Sequence, residues 1–416
     1  MNDRPRTENT STADSTGRAP ILVVHPSSDL YGADRMLLEA VRELVVVHGD
    51  VVVAVPGPGP LVPLLLEAGA RVEHVSTLVL EKRFLDPRHW PALVHDTLAG
   101  IGPARRMLRR LRPRAVYVST EVLPLWPLLS RRAGAYSVVH VHEAELEMPG
   151  FIRLGLALPV MPANRALVNS ECTLGGLVDS VPRLARKSTV VLNGVAAPPG
   201  GPRPARERLD GELRILYVGR LSERKGVHLL VEALRLLEER GVPAVLDLVG
   251  DVVPGKEWYE HSLRRLIAEA GVTDRVRFRG FHADVWPWME AADVVVVPPV
   301  VTEAFGNTAV EAVLAARPVV VADHTGLREA VRDYGCVVGV DTLAHDAVWQ
   351  LADAFEQVRA DWPRLRAAAL ADAEEARVRH EPRVFGRKVA QAVAEPWPEA
   401  PSVPPARGHA AKEIPA

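Results

Sequence analysis

The sequence predicts an α/β protein of two units, each a parallel sheet covered by helices, meeting at a shared cleft. Three observations carry this. Short β-branched runs alternate with longer amphipathic stretches, as in strands buried on both faces by crossover helices. The alternation runs through the first half of the chain and begins again in the second. Between the halves, residues 193–213 are rich in proline and glycine, a composition that continues neither a helix nor a central strand.

In the first half, strands are expected at 21–25, 51–55, 71–75 (weak), 115–119, 136–142 and 166–169. The second half gives strands at 215–218, 244–249, 276–279, 294–297 and 318–321, with helices at 226–240, 258–270, 308–316 and 344–359. The expected organisation is a disordered leader (1–19), an N-terminal domain (20–192), a linker (193–213) and a C-terminal domain (214–378). A helix follows at 379–394, with return to the N-terminal domain as one path, and then a mobile tail at 395–416. Open α/β sheets bind ligands at the carboxyl ends of their strands. Two joined units therefore place two binding edges around one cleft, a geometry suited to a two-substrate enzyme.

Composition narrows the field. Lys and Arg total 50 against 52 Asp and Glu, so no global field recruits nucleic acid. The two cysteines, Cys172 and Cys336, lie far apart without CxxC spacing, which argues against a disulfide framework or zinc site and suits a reducing cytosol. No stretch of about 18 apolar residues is present to span a bilayer, and the N-terminus lacks the apolar core of a signal peptide. The expected location is cytoplasmic.

Two segments carry chemistry in the second half. In YVGRLSERKG (217–226), a strand runs into a turn at Gly219 and a helix starts near Gly226. Helix-start amides attract anions, and Arg220 and Lys225 bring two cations to the same point; a solvated basic loop is the alternative. In PPVVTEAFGNTAVEA (298–312), a strand ends, a loop carries Glu303, and a helix begins near Thr308 with Glu311 in its first turn. Glu311 could simply complement the helix dipole. Yet Gly306 permits close backbone approach, and the amides of Gly306, Asn307 and Thr308 would face the same cleft as Arg220 and Lys225. A carboxylate accepts hydrogen bonds from two vicinal sugar hydroxyls, so this pair could grip two rings flanking a diphosphate.

The stretch 219–338 resembles the donor domain of family 4 retaining glycosyltransferases, whose fold is GT-B: two Rossmann-like α/β domains facing each other across a cleft. Gly219-Arg220 with Lys225-Gly226 matches the family's GR…KG element, and Glu303 with Glu311 matches its Glu-x7-Glu element. Gly280-Phe281 followed by Ala292-Asp293-Val294, Pro318-Val-Val before Gly326-x-x-Glu329, and Asn193-Gly-Val195 match further in order. The resemblance implies that Arg220 and Lys225 hold the diphosphate, Glu303 the transferred sugar and Glu311 the ribose. It places Phe281, Phe305, Gly306, Asn307 and Thr308 around the donor, and implies neither metal nor cofactor beyond the nucleotide sugar. Pro298-Pro299, Ala316-Arg317 and Ala196 depart from the family's usual residues without touching the charged set.

In the first half, PSSDLYGADR (26–35) follows the first strand and opens a helix; the resemblance implies that Gly32 approaches the donor phosphates. His140 and His142 share a strand face in VVHVHE (138–143). With Glu143 they suggest a metal but lack a third ligand. His142 resembles the family's strand-end histidine near the transferred sugar and is expected to point into the cleft. Gly57-Pro-Gly59 follows the wrong strand for a dinucleotide fingerprint and lacks its third glycine, which removes an NAD dehydrogenase. The run PARRMLRRLRPR (103–114) puts Met107, Leu108 and Leu111 on one helical stripe amid arginines. It reads as a helix packed on the N-terminal sheet, with contact to anionic lipid on the membrane's inner face as the sharper alternative.

The expected function is retaining transfer of a sugar from a nucleoside diphosphate sugar to an acceptor hydroxyl on a glycan, glycolipid or metabolite. A GT-B epimerase or sugar-phosphate synthase, and a non-catalytic nucleotide-binding partner protein, are the alternatives.

Overall fold

The computed structural model describes residues 19–30, 32–143 and 146–394; the leader up to residue 18 and the tail at 395–416 lie outside the described residues. The first unit runs β1 (Ile21–Val24), α1 (Gly32–His48), β2 (Val51–Val55), α2 (Leu61–Glu67), β3 (Arg71–His74), α3 (Trp90–Leu111) and β4 (Ala115–Val118). It continues with α4 (Leu125–Arg132), β5 (Tyr136–Val141), α5 (Gly150–Ala157), β6 (Arg165–Val168), α6 (Glu171–Ser180) and β7 (Ser188–Val190). The second unit holds β8 (Leu213–Val218), α7 (Val227–Glu239), β9 (Ala244–Val249), α8 (Glu257–Glu269), β10 (Val276–Gly280), α9 (Trp286–Ala291) and β11 (Val294–Val297). After these come α10 (Asn307–Leu314), β12 (Val319–Ala322), α11 (Thr325–Ala330), β13 (Val337–Val340), α12 (Ala347–Ala360), α13 (Trp362–Arg379) and α14 (Pro382–Ala394).

The strands form two parallel sheets, in the orders β3-β2-β1-β4-β5-β6-β7 and β10-β9-β8-β11-β12-β13. The central runs, such as VVVAV in β2 and VVVA in β12, are buried along their whole length, because helices cover both faces. Strand order reverses at β1/β4 in one sheet and at β8/β11 in the other. Loops leaving the carboxyl ends of these strands diverge there and leave a crevice. This topology brings the loops after β1, β8 and β11 toward one another.

Three expectations need correction. The edge strands β7 and β13 were not anticipated: one is three residues long and the other is interrupted by Gly339, too little pattern for a periodicity argument. Leu213, assigned to the linker, opens β8, its amide donating to the Pro243 carbonyl at 2.9 Å. The helix expected at 308–316 begins one residue earlier and ends at Leu314, before Ala316 turns to a positive φ of 55°.

From α13 the chain returns to the first unit. Phe385, Val389 and Val393 of α14 are buried in the same cluster as Met36, Leu37 and Val41 of α1. Burying each such side chain contributes about 1.5–3 kcal/mol. Gly386 makes the approach possible, since a Cβ there would fall 2.5 Å from Glu43 Cγ. The chain thus crosses between units twice. In α3, Met107 and Leu108 are buried under the first sheet while Arg105, Arg106, Arg109 and Arg110 are exposed, as the packed-helix reading requires.

Candidate active site

The basic loop after β8 is built around one glycine. Gly226 has a φ of +71° and immediately precedes α7. A Cβ on it would sit 1.9 Å from the Pro298 carbonyl oxygen, so only glycine lets this loop close onto the end of β11. The Val300 amide then donates to the Arg224 carbonyl at 3.0 Å, stitching the two loops together. As a result Lys225 Nζ lies 2.5 Å from Glu303 Oε1, an ion pair in which both side chains keep partial solvent access. Arg220 is exposed, and its carbonyl accepts a hydrogen bond from the Tyr217 hydroxyl at 2.8 Å.

The Glu303 loop is held from the other side by the start of α11. The Gly326 amide donates to the Glu303 carbonyl at 3.0 Å, and a Cβ at Gly326 would lie 1.9 Å from the Ala304 carbonyl oxygen. Gly306 precedes α10 in the left-handed region, with φ +93°. Asn307 and Thr308 open that helix, where amides lack intrahelical partners and favour an anion. Glu311 lies one turn further in, not in the first turn as expected. Burial pushes its carboxyl up, opposed by the positive charge of Arg35 from α1. Phe305 buries its side chain in the second unit's core, edge-on against His380, so its ring faces away from the cleft and only its backbone is left to face a donor. Phe281 is exposed, its amide donating to Asp251 at 3.2 Å.

The first unit brings its own groups to this point. Gly32 opens α1, and a Cβ there would lie 3.7 Å from Asn307 Nδ2 of α10; the two helix starts face each other across the cleft. Both positive dipole ends favour negative charge between them. Arg35 donates to the Ala283 carbonyl at 2.8 Å, beside Phe281 and His282. The first turn of α1 is anchored in turn, since His25 bonds Asp34 at 2.7 Å and Ser119 at 2.6 Å. Further links between the units run from the Glu171 amide to Glu329 (2.8 Å) and from Asn193 Nδ2 to Asn307 Oδ1 (2.8 Å). The Thr302 amide, next to Glu303, donates to Glu147.

His142 is half-buried at the end of β5, stacked on His140 with ring centroids 3.9 Å apart. Burial and the neighbouring His25 hold its pKa down to about 4; a neutral imidazole remains, with one donor and one acceptor nitrogen. His140 is fully buried and bonds the Tyr117 hydroxyl at 2.7 Å, a structural role. Among the described residues, no group of three or more His, Cys, Asp or Glu is placed to hold a metal ion, and Cys172 and Cys336 are free thiols.

The structure therefore pairs Lys225 with Glu303, sets Gly32 against Asn307 at the start of α10, and brings Arg35 of the first unit toward Glu311. Sequence reasoning passed over Arg35, Asn193 and Glu329 as site or interface residues. Arg35 stood three positions beyond Gly32 in the same loop motif, and Asn193 and Glu329 stood inside matched motifs, so signals existed for all three.

Comparison with known proteins decides the character of the second unit: residues 212–361 match the family model described as glycosyl transferases group 1. This unit is a group 1 glycosyltransferase domain. Over 209 residues, 45% of this chain and 42% of the relative, the sequence is 36% identical to a D-inositol 3-phosphate glycosyltransferase of Salinispora tropica. Over 194 residues, 44% and 53% of the respective chains, it is 30% identical to the lipopolysaccharide core biosynthesis mannosyltransferase LpsB of Rhizobium meliloti. The chain thus spans about half the length of the curated relatives it matches. Fold similarity extends beyond the glycosyltransferase domain. Anabaena HepE, solved with UDP and glucose, superposes with a TM-score of 0.72 at 20% identity over 90% of this chain and 99% of its own. Sucrose-phosphate synthase of Thermosynechococcus elongatus does so at 0.71 and 19%, over 90% and 98%. The two-unit architecture is the GT-B fold.

Proposed function

We propose that this chain is a retaining, metal-independent glycosyltransferase. It would transfer a sugar from a nucleoside diphosphate sugar to an acceptor hydroxyl on a glycan, glycolipid or metabolite, with no other cofactor. The observation that carries this reading is the Lys225–Glu303 pair beside the α10 helix, which holds Glu311 and whose start meets the start of α1 at Gly32 and Asn307. Cations and amides suit a diphosphate, and the carboxylates suit sugar hydroxyls. The relatives named as glycosyltransferases and a structural neighbour solved with UDP and glucose support it.

As the bond from the anomeric carbon to the β-phosphate oxygen breaks, charge accumulates on the diphosphate. Arg220, Lys225 and the α10 amides stabilise that charge. The acceptor oxygen bonds the anomeric carbon on the same face, and its proton passes to the departing phosphate. Glu303 positions the sugar and orients Lys225; it is not a nucleophile. A GT-B epimerase or sugar-phosphate synthase would share this donor site, and a non-catalytic nucleotide-binding protein would keep it without turnover. Incubation with UDP-, GDP- and dTDP-sugars in the presence of EDTA tests the proposal. One donor class should be consumed, releasing a sugar or glycoside of the donor's anomeric configuration; an inverted product, or no turnover without metal, would refute the corresponding part.

A second reading concerns where the enzyme works. Trp90, Val94 and Leu98 on α3 are 56%, 58% and 67% exposed, at a spacing of four that aligns them on one helix face. Arg105 and Arg109 continue that face. Apolar side chains beside arginines suit the interface of an anionic membrane. Co-sedimentation with anionic liposomes should be salt-sensitive and should weaken at least tenfold in L98D/R105E/R109E. Equal recovery of the wild-type chain with neutral and anionic vesicles would end this reading of a cytoplasmic, membrane-peripheral enzyme.

A further inference from the structure

A second polar recess lies outside the cleft. The β8–β9–β10 face that carries Leu216 and Val249 is turned away from α7 and α8. Between this face and α9 is an open groove of about 350 Å³. Arg214, Asp247, Arg277 and Arg279 project into it from the three strands, and Trp288 lines it from α9. Arg214 is the second residue of β8, four residues before the strand's carboxyl end at Val218. At about 3.3 Å per residue, Arg214 is roughly 13 Å along the strand from the donor edge, and the groove runs from there to Arg279 near the carboxyl end of β10.

The groove is organised for oxyanions. Arg279 is fixed twice: its Nε donates to Asp247 Oδ1 at 2.6 Å, and its guanidinium sits 5.1 Å from the Trp288 ring centroid. A cation–π contact with such a charge pair holds a guanidinium in one orientation. Asp247 is thereby engaged, and Glu212 at the rim is engaged by Arg275. Arg214 and Arg277 are exposed, and among the described residues no side-chain partner neutralises either. Two guanidinium groups left over around a fixed third make a local positive field in a chain whose formal net charge is −2. Planar guanidinium forks match the paired oxygens of phosphate groups.

We infer that this groove is a second anion site, taking a small phosphate-bearing ligand separate from the donor. It is placed to influence the donor domain. Trp288 also packs against His282 in a tilted contact with ring centroids 5.0 Å apart, and His282 follows Phe281 in the loop to which Arg35 reaches. A ligand that draws on Arg279 therefore bears on Trp288 and, through His282, on the cleft rim.

The test uses inorganic pyrophosphate as the probe and calorimetry as the readout, on the full chain. R220A/K225A removes the two cations of the loop after β8; R214A/R277A removes the two unpaired guanidinium groups of the groove. The groove should keep a saturable site in R220A/K225A, and adding R214A/R277A to that background should weaken it at least tenfold. R214K/R277K, which keeps the charges, should recover part of the affinity and shows that the effect is electrostatic. Absence of saturable binding in R220A/K225A would overturn the inference. So would equal affinity with and without Arg214 and Arg277. Neither result touches the proposed donor site, which R220A/K225A tests separately through turnover.

Discussion

Replacing Glu303 by alanine should lower sugar transfer by about 10³-fold, the scale of removing a preorganised electrostatic group from a transition state, while the fold survives. The carboxylate holds Lys225 at 2.5 Å and is placed to bond the sugar. Its loss frees the lysine from the position where leaving-group charge develops and removes one grip on the reacting ring. Stability should change little, because the pair is partly exposed and such pairs contribute about 0–1 kcal/mol. Transfer rates and thermal unfolding of the E303A variant check this together. Near-normal turnover would remove Glu303 from the site; a collapse of the unfolding midpoint would mark it as structural.

Gly226→Ala should be among the most damaging small substitutions in the chain. Two costs combine: a left-handed backbone at φ +71°, and a Cβ 1.9 Å from the Pro298 carbonyl oxygen. Backbone rather than a flexible side chain stands in the way, so the loops after β8 and β11 must separate. Gly241→Ala is the control, because it has nearly the same φ, +70°, and nothing within 4 Å of its would-be Cβ. The control isolates the conformational cost, about 1 kcal/mol. G226A should cost at least about 3 kcal/mol and should abolish donor turnover, since separation pulls Lys225 from Glu303. Equal urea midpoints for the two variants would contradict the account of this loop.

Much of this was legible in the sequence, for reasons that particular residues make plain. Buried parallel strands must be continuous β-branched runs, so VVVAV and VVVV announced themselves. The order of motifs placed Arg220, Lys225 and Glu303 on loops after β8 and β11 and Glu311 on the helix that follows. The pairing of Lys225 with Glu303 was not legible, because it joins residues 78 positions apart through a close backbone contact at Gly226. Arg35 was missed because its partners, Glu311 and Ala283, belong to the other unit. The direction of the Phe305 ring was not legible, because a motif records position and not direction: its backbone follows Glu303 while its ring turns into the core. The short edge strands β7 and β13 carried too few residues for a period to show.

The central claim is that the cleft between the two sheets holds a nucleoside diphosphate, with phosphate toward Lys225 and ribose toward Glu311. Calorimetric titration with UDP, GDP and dTDP, on the wild-type chain beside E303A and E311A, tests it most directly. The account predicts saturable binding of one nucleotide to the wild-type chain, affinity within a few-fold in E303A, and at least tenfold weaker binding in E311A. Absence of saturable binding by all three, or an E311A variant that binds as tightly as wild type, would contradict it.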